Sequence, residues 1–267
     1  MRVIIKIIIF SSVLFPAFEL TTFSPLQIGA GYSYFISENS PLVNLIHPGA
    51  LNSHNKIKSG FYFSSPFNIK DFRQYGGIIN IPFYSYHLTS GFHSMGNQLY
   101  KETTFSTSTS RKIKNVLTVG LLFNVYQLTI KNYGNTTSFG ISSSLTYNIN
   151  PDINWSLLYH NLNTPRIGIS KEYLPQVIAT GFTYSPSDHL LSMVEVEKDL
   201  QFEPRFKFGV LFKPLKQVQV STGFINHPTQ ITGAFLITLF NQEVSYAFAT
   251  HPHLSLSHTI GFHFILR

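Results

Sequence analysis

The sequence predicts an all-β protein, a transmembrane antiparallel β-barrel of about 14 strands with a short N-terminal segment plugging the lumen. Charged residues make up only 12% of the 267-residue chain, about half of the roughly 25% typical of soluble domains. Aromatic residues reach 15%. Outside the extreme N-terminus, no apolar stretch approaches the ~20 residues that a membrane-spanning helix needs. These observations favour a barrel with an apolar outer face and a polar interior.

Strands are predicted from the strict alternation of apolar and small polar residues. The segment 138–147 shows it most clearly: one face carries Phe139, Ile141, Leu145 and Tyr147, and the other carries Ser138, Gly140, Ser142, Ser144 and Thr146. Such alternation is typical of a sheet between two different solvents. In a soluble sandwich the second face would carry Lys and Glu, whereas Ser, Thr and Gly fit a narrow barrel interior.

The number of predicted strands and the lengths of their connections both favour a single-chain barrel. Alternating runs lie roughly at 57–65, 71–82, 84–94, 99–112, 115–129, 133–148, 152–163, 175–184, 187–199, 203–213, 216–226, 229–240, 242–250 and 254–265. An even number of strands places both termini at one end of the barrel. Every second connection is short and often contains proline, which is typical of the periplasmic side, and the other set contains the longest loop, 163–175.

One hairpin predicts a ladder of charges inside the lumen. If the strands around 190–200 and 203–212 pair across a tight turn, Glu197 lies opposite Arg205 and Glu195 opposite Lys207. The intervening valines and phenylalanines then face lipid, where a charge would cost about 2–4 kcal/mol near the midplane. Two roles stay open for this ladder, a polar filling that rigidifies the barrel and a filter that selects a substrate.

The N-terminus predicts export and then a segment that cannot be part of the wall. Arg2 precedes an apolar run from Ile4 to Phe15 that is too short to span a membrane comfortably, and cleavage after Ala17 would follow. A membrane anchor is the alternative. We therefore expect a signal peptide over 1–20, a plug over 21–55 and a barrel over 56–267.

The plug prediction depends on residues 40–52, which do not alternate. Leu42, Leu45 and Ile46 have helix-like spacing, and a Pro-Gly break follows. An apolar segment of this kind can be buried only in the lumen. It would act either as a stabilising plug or as a gate on a hydrophobic path. The residues assigned to the plug and to such a path are Leu42, Leu45, Ile46, His47, Pro48, Gly49 and Leu51.

Several chemistries are not expected. The absence of cysteine excludes disulfides, thiolate metal sites and a lipid anchor. His251 and His253 have no acidic neighbour, so no metal site is expected. No serine stands in a G-x-S-x-G turn, and no cofactor or phosphate-binding motif is found, so we expect no enzyme. The net charge of +7 is dispersed, which argues against nucleic acid as a partner.

The segments 26–72, 194–224 and 244–264 resemble the FadL-like outer-membrane barrels, nearest to the PorV/PorQ branch linked to type IX secretion. Those proteins carry an Asn-Pro-Ala-Gly/Ala-Leu element before the first strand. Here it stands as His47, Pro48, Gly49, Ala50 and Leu51, with histidine in place of asparagine. The resemblance implies a fourteen-stranded barrel with its N-terminal segment folded into the lumen.

The resemblance implies two kinds of function in the outer membrane. In FadL-type transporters the N-terminal segment lies beside a hydrophobic ligand path, whereas PorV-like barrels bind secretion machinery and cargo. Our first expectation is a secretion-associated or partner-binding barrel, with secretion-system proteins or cargo as partners besides membrane lipid. The alternatives are a passive transporter of small hydrophobic molecules and an envelope-structural barrel.

The first two functions make different demands on the structure. A transporter should show a continuous apolar path beside Leu42, Leu45 and Ile46 that ends in a lateral opening. A partner-binding barrel should show a blocked lumen and an exposed apolar patch on its loops, around residues 167–174.

Overall fold

A closed antiparallel barrel of fourteen strands forms the body of the protein. The computed structural model describes residues 17–36, 40–50, 56–114 and 116–266. Sequence neighbours pair around the wall, and the first and last strands close it, with Phe61 opposite Phe262. Within the described ranges, no helix is both long and apolar enough to cross a membrane. The predicted fold class and strand number are confirmed.

The barrel strands are β1 (Ile57–Ser65), β2 (Gln74–Phe83), β3 (Tyr86–Gly96), β4 (Tyr100–Ile113), β5 (Leu117–Ile130), β6 (Gly134–Asn148), β7 (Ile153–His160), β10 (Val177–Ser187), β11 (Leu190–Asp199), β12 (Arg205–Leu215), β13 (Val218–Asn226), β14 (Thr229–Leu239), β15 (Gln242–Ala249) and β16 (Ser257–Leu266). Two short strands, β8 (Arg166–Ile167) and β9 (Glu172–Tyr173), form a hairpin within one loop. The helices are α1 (Pro25–Gly29) and the 3-10 turns Pro41–Leu45, Pro66–Asn68 and Lys70–Phe72.

The two faces of the wall differ as the alternation predicts. On β6, Phe139 points outward with 65% of its surface exposed, whereas Ser142, Ser144 and Thr146 point inward and are buried. The outward face is lined with Phe, Ile, Leu and Tyr around the barrel. This apolar band suits lipid, and the inward hydroxyl groups suit contact with other polar groups.

The two ends of the barrel also differ. At the end where β1 begins and β16 ends, the connections are short; we call it the turn end. At the opposite end, the loop end, lie the 3-10 turns 66–72 and the longest connection, 161–176, which contains β8 and β9. This arrangement of short turns and longer loops is the predicted one.

A plug formed by residues 17–36 and 40–50 occupies the lumen. It starts near the loop end, where the Phe18 backbone N–H donates to Glu102 at the beginning of β4. It reaches the turn-end half, where His47 bonds Thr146 near the end of β6. Helix α1 packs on β13, β14 and β15, and the 3-10 turn at 41–45 packs on β1 to β4. Almost every described plug residue is buried.

The plug lies against the wall where the inward residues are small. A Cβ atom on Gly223 would overlap the backbone nitrogen of Gly31, and one on Gly209 would lie 2.5 Å from the Ala30 oxygen. Ser221 fits the same groove and donates its hydroxyl to the Leu26 oxygen at 3.0 Å. The inward glycines of β12 and β13 are therefore required by the close approach of the plug backbone.

Gly223→Ala should destabilise the folded barrel, because the new methyl group meets plug backbone that cannot move aside. We expect a cost of about 1–3 kcal/mol, the range for overpacking a well-packed interior. The temperature at which the folded band converts to the unfolded band on a gel measures it.

Gly233→Ala is the matched control for that substitution. Its methyl group would meet only the ring of Phe248, which is a side chain and can move. Equal melting temperatures of the two variants would contradict the role assigned to the groove.

Candidate functional site

A cavity of about 850 Å³ lies in the loop-end half of the lumen. The plug lines it through Phe18, Leu20 and Phe23 and supplies its floor through Leu45 and Ile46. Residues of the loop-end connections 66–73, 200–204, 227–228 and 250–256 surround its mouth. The volume falls within the ~300–1,000 Å³ usual for sites that bind small molecules.

One side of the cavity is aromatic. The ring of Phe23 stacks on Tyr62 with centroids 5.1 Å apart and lies 4.7 Å from the ring of His93. The Tyr62 hydroxyl and Nδ1 of His93 form a hydrogen bond. Phe67 and Phe72 add further rings towards the mouth. This side presents flat, weakly polar surfaces to a guest molecule, which suits apolar or aromatic compounds.

The neighbouring side, on β4, β5 and β7, is polar, but its groups bind one another. Ser106 donates to Asn124 Oδ1 at 2.7 Å, and the Asn124 amide donates to the Tyr126 hydroxyl at 3.1 Å. Tyr126 in turn donates to Asn161 Oδ1 at 2.8 Å and lies 3.2 Å from His160 Nε2. Because these groups already have partners, a guest gains little by bonding to them and they stay fixed.

The plug residues predicted from sequence are placed at three depths. Leu45 and Ile46 line the cavity floor, whereas Leu42 is buried beneath it and does not line it. Pro48 and Gly49 lie deeper, where the Gly49 N–H donates to Ser144 at 2.7 Å. Leu51 falls outside the described residues. The apolar surface therefore extends to Leu45 and Ile46 and is closed below them.

His47 is fully enclosed by the plug and the wall. Its Nε2 atom lies 2.9 Å from the Thr146 hydroxyl, and its ring lies nearly perpendicular to the Phe35 ring. Among the described residues, Nδ1 has no hydrogen-bond partner. Burial lowers the pKa of His47 to about 3, so the imidazole is neutral at ordinary pH.

The charged side chains of β11 and β12 form a buried cluster with the plug. The register places Glu195 opposite Lys207 and Glu197 opposite Arg205. The Lys207 ammonium lies 3.0 Å from Glu195 Oε1 and 2.6 Å from Glu197 Oε2. It also donates to the Tyr32 oxygen at 3.0 Å.

Sequence reasoning missed the plug side of this cluster. The Tyr34 N–H donates to Glu195 Oε2 at 3.0 Å, and the Tyr34 ring lies beneath Lys207 at 3.6 Å. Arg205 lies 3.7 Å from Glu197 and 3.2 Å from Glu19. No sequence spacing relates Glu19 or Tyr34 to β11, because the contacts arise only when the plug enters the lumen.

Residues 167–174, where a partner-binding barrel should expose an apolar patch, are exposed only in part. Ile167 and Leu174 are buried and pack with Phe18 and Tyr126, whereas Ile169 and Tyr173 are 92% and 52% exposed. The apolar ends of this segment face into the barrel because they cover the start of the plug.

The wall has one stretch where a loop replaces a strand. β7 ends at His160 and pairs only with residues 143–148 of β6. Beside residues 134–142 of β6 the loop 161–176 takes its place, with the Leu162 N–H donating to the Ile141 oxygen at 2.7 Å. All neighbouring barrel strands are hydrogen-bonded in the described structure, whereas here the loop completes the wall, with Asn163 Nδ2 also donating to the Phe139 oxygen at 2.9 Å.

Comparison with known proteins gives matches in structure only. No family model and no curated protein matches the chain. The toluene transporter TbuX of Ralstonia pickettii superposes with a TM-score of 0.70, at 10% identity over 94% of this chain and 100% of that chain. The toluene transporter TodX of P. putida gives 0.68, at 8% identity over 93% and 100%. A FadL homologue of Pseudomonas aeruginosa gives 0.66, at 8% identity over 92% and 98%.

The chain shares the fold of these barrels. At such low identities the likeness establishes the fold alone and nothing about the ligand. It gives no support to the PorV/PorQ branch or to type IX secretion.

His47→Asn should remove part of the acid sensitivity of the fold. The pKa of His47 is lower when folded than the ~6.5 of an unfolded histidine, so the unfolded state gains a proton first as pH falls. The contribution of His47 to the free energy of unfolding is therefore fully present above pH ~6.5 and declines towards pH ~3. The decline between pH 7 and pH 5 is about 2 kcal/mol.

Melting temperatures at the two pH values measure the decline. Exposed His253 supplies the control, because His253→Asn should leave the decline as it is in the unaltered protein. A decline of the same size in His47→Asn would show that this imidazole does not contribute.

Proposed function

We propose that the protein is an outer-membrane channel that takes a small hydrophobic molecule into its loop-end cavity and passes it on without an energy source. The single observation that carries this proposal is the 850 Å³ cavity, with an aromatic side and an apolar floor inside a closed barrel. The toluene transporters TbuX and TodX share the fold. That likeness supports the proposal but does not identify the ligand.

The orientation in the membrane follows from the two ends. Single-chain outer-membrane barrels keep short turns in the periplasm and longer loops outside, so the cavity faces the exterior. We assign residues 56–267 to the barrel, and the plug includes Phe18 and Leu20, which lie within the 1–20 expected for export. The cavity mouth then collects molecules from outside the cell.

The way out of the cavity is sideways. The plug is held by the glycine groove and by the Lys207 cluster, which lines one side of the cavity, so moving the plug breaks many contacts at once. The loop 161–176 is held to β6 by fewer bonds, among them the Leu162 contact with Ile141. A molecule in the cavity reaches the membrane more readily by displacing this loop than by displacing the plug.

The secretion-associated function, our first expectation from the sequence, has no observation in its favour. The blocked turn end is compatible with it, but the apolar loop surface that it requires is buried at Ile167 and Leu174 and exposed only at Ile169 and Tyr173. An envelope-structural role would not require a lined cavity. The transporter function accounts for both the cavity and the plug.

Thr104→Trp should abolish ligand binding by filling the cavity. Thr104 points inward on β4 and lines the cavity, so an indole there occupies the space of the guest. With toluene as the probe, calorimetry on the detergent-solubilised protein should show affinity reduced about tenfold or more.

The adjacent residue gives the matched control. Phe105 points outward and is 51% exposed, so Phe105→Trp should bind toluene as the unaltered protein does. If the unaltered protein binds neither toluene nor octanol nor decanoate, the proposed function is wrong.

A cross-link between Ile141→Cys and Leu162→Cys should separate binding from passage. The two backbones are hydrogen-bonded at 2.7 Å, and the chain has no other cysteine, so the oxidised pair pins the loop to β6. We expect unchanged toluene affinity but reduced toluene uptake by cells that depend on this channel.

Reduction of that cross-link should restore uptake. Uptake that stays unchanged in fully oxidised protein would place the exit elsewhere.

A further inference from the structure

Glu102 is a buried carboxylate whose described partners are all neutral in charge. It lies on β4 at the edge of the cavity and is 4% exposed. The Tyr100 hydroxyl donates to Oε1 at 2.6 Å, and the Phe18 backbone N–H donates to Oε2 at 2.8 Å. Within the described part of the chain, no lysine, arginine or histidine forms a salt bridge with it. A buried carboxylate ordinarily has a cationic partner.

Comparison with the other buried glutamates of the lumen shows that Glu102 lacks a cationic partner among the described residues. Glu195 and Glu197 share the ammonium group of Lys207 at 3.0 and 2.6 Å. The equivalent place beside Glu102 is taken by the backbone nitrogen of Phe18. An ammonium group at that nitrogen would complete the pattern without moving any atom of the plug.

The packing of Phe18 is compatible with the same change. Its φ angle is +60°, in the left-handed region, as at Tyr32 and Phe67. Its ring packs against Tyr126 with centroids 5.0 Å apart and against Ile167, which holds the residue in place. Cleavage of the Ala17–Phe18 bond removes the preceding peptide unit while these contacts hold the ring and the nitrogen.

We propose that the chain is cleaved between Ala17 and Phe18 during export and that the new α-ammonium group of Phe18 forms a buried ion pair with Glu102. Water hydrolyses the amide bond, so Ala17 leaves with a carboxylate and Phe18 keeps the nitrogen, which is protonated. Ala17 is small, as export cleavage sites require on that side. Phe15 is larger than the residue usual two positions earlier, so the geometry at Phe18 carries the assignment.

The ion pair would fix the first residues of the plug against the barrel wall. The next residue, Glu19, already bonds Arg205 at 3.2 Å on the other side of the cavity. Phe18 and Glu19 would then be fixed to β4 and β12 by opposite charges. Processing therefore completes the cavity wall, and this holds whether or not the cavity carries a hydrophobic molecule.

The mass of the protein purified from outer membranes tests the cleavage. Intact mass and N-terminal sequencing should both give a chain that begins at Phe18. A mature chain that begins at any other residue would overturn the proposal, because no ammonium group would then lie at this nitrogen.

Acetylation of the α-amine tests the ion pair. Acetic anhydride reacts with the free amine, and a neighbouring carboxylate keeps the amine protonated. Glu102→Gln should speed acetylation of the folded protein about tenfold or more, whereas Glu102→Asp keeps the charge and should keep most of the protection.

Glu203→Gln is the control, since Glu203 lines the same cavity without bonding Phe18. Equal rates in the unaltered protein and in Glu102→Gln would overturn the ion pair. Should Glu102→Gln fail to fold, the contrast between the unaltered protein and Glu102→Asp still decides it: full loss of protection in Glu102→Asp contradicts a role for charge.

Discussion

The ammonium group of Lys207 joins the barrel wall to the plug, and the rest of the lumen depends on it. It is shared by Glu195 and Glu197 on the neighbouring strand and by the backbone oxygen of Tyr32 on the plug. Burying such charges is costly unless each has a partner. Because the partners lie on both wall and plug, the charges are satisfied only when the plug is in place. The same contact therefore fixes the floor of the cavity.

The cavity exists because the plug fills only part of the lumen. Against the inward glycines and serines of β12 and β13 the plug packs tightly, and towards the loop end it leaves space. The aromatic and polar sides of that space are already bonded among themselves. A preformed cavity with few unsatisfied groups favours bound molecules that need no hydrogen bonds, as the proposed function requires.

The wall could be predicted from the sequence because alternation alone determines it. The inward serines of β6 and the pairing of Glu195 with Lys207 both follow from a period of two. The burial of Leu42, Leu45 and Ile46 followed from the absence of that period. The contacts of individual plug residues inside the lumen could not be predicted. Glu19, Tyr34 and Glu102 reach their partners only because the plug folds back along the inner wall.

The burial of loop residues has the same cause. An exposed patch around residues 167–174 is what a partner-binding barrel should show, but no local pattern shows that Phe18 lies behind Ile167. The glycine at 223 is similarly uninformative on its own, and it acquires meaning only from the backbone of Gly31 beside it. Contacts between the plug and the wall join residues that are far apart in sequence, where spacing carries no signal.

The seam between β1 and β16 has a consequence for how the molecule is assembled. The plug precedes β1 in the chain, yet it ends up enclosed by a wall whose final hydrogen bonds join residues about two hundred positions apart. Either the plug is already packed against β12 and β13 when β1 pairs with β16, or it enters the closed barrel afterwards through an open end. In the first case, the topology determines the order of assembly: the plug folds onto the inner wall before β1 and β16 pair and close the barrel.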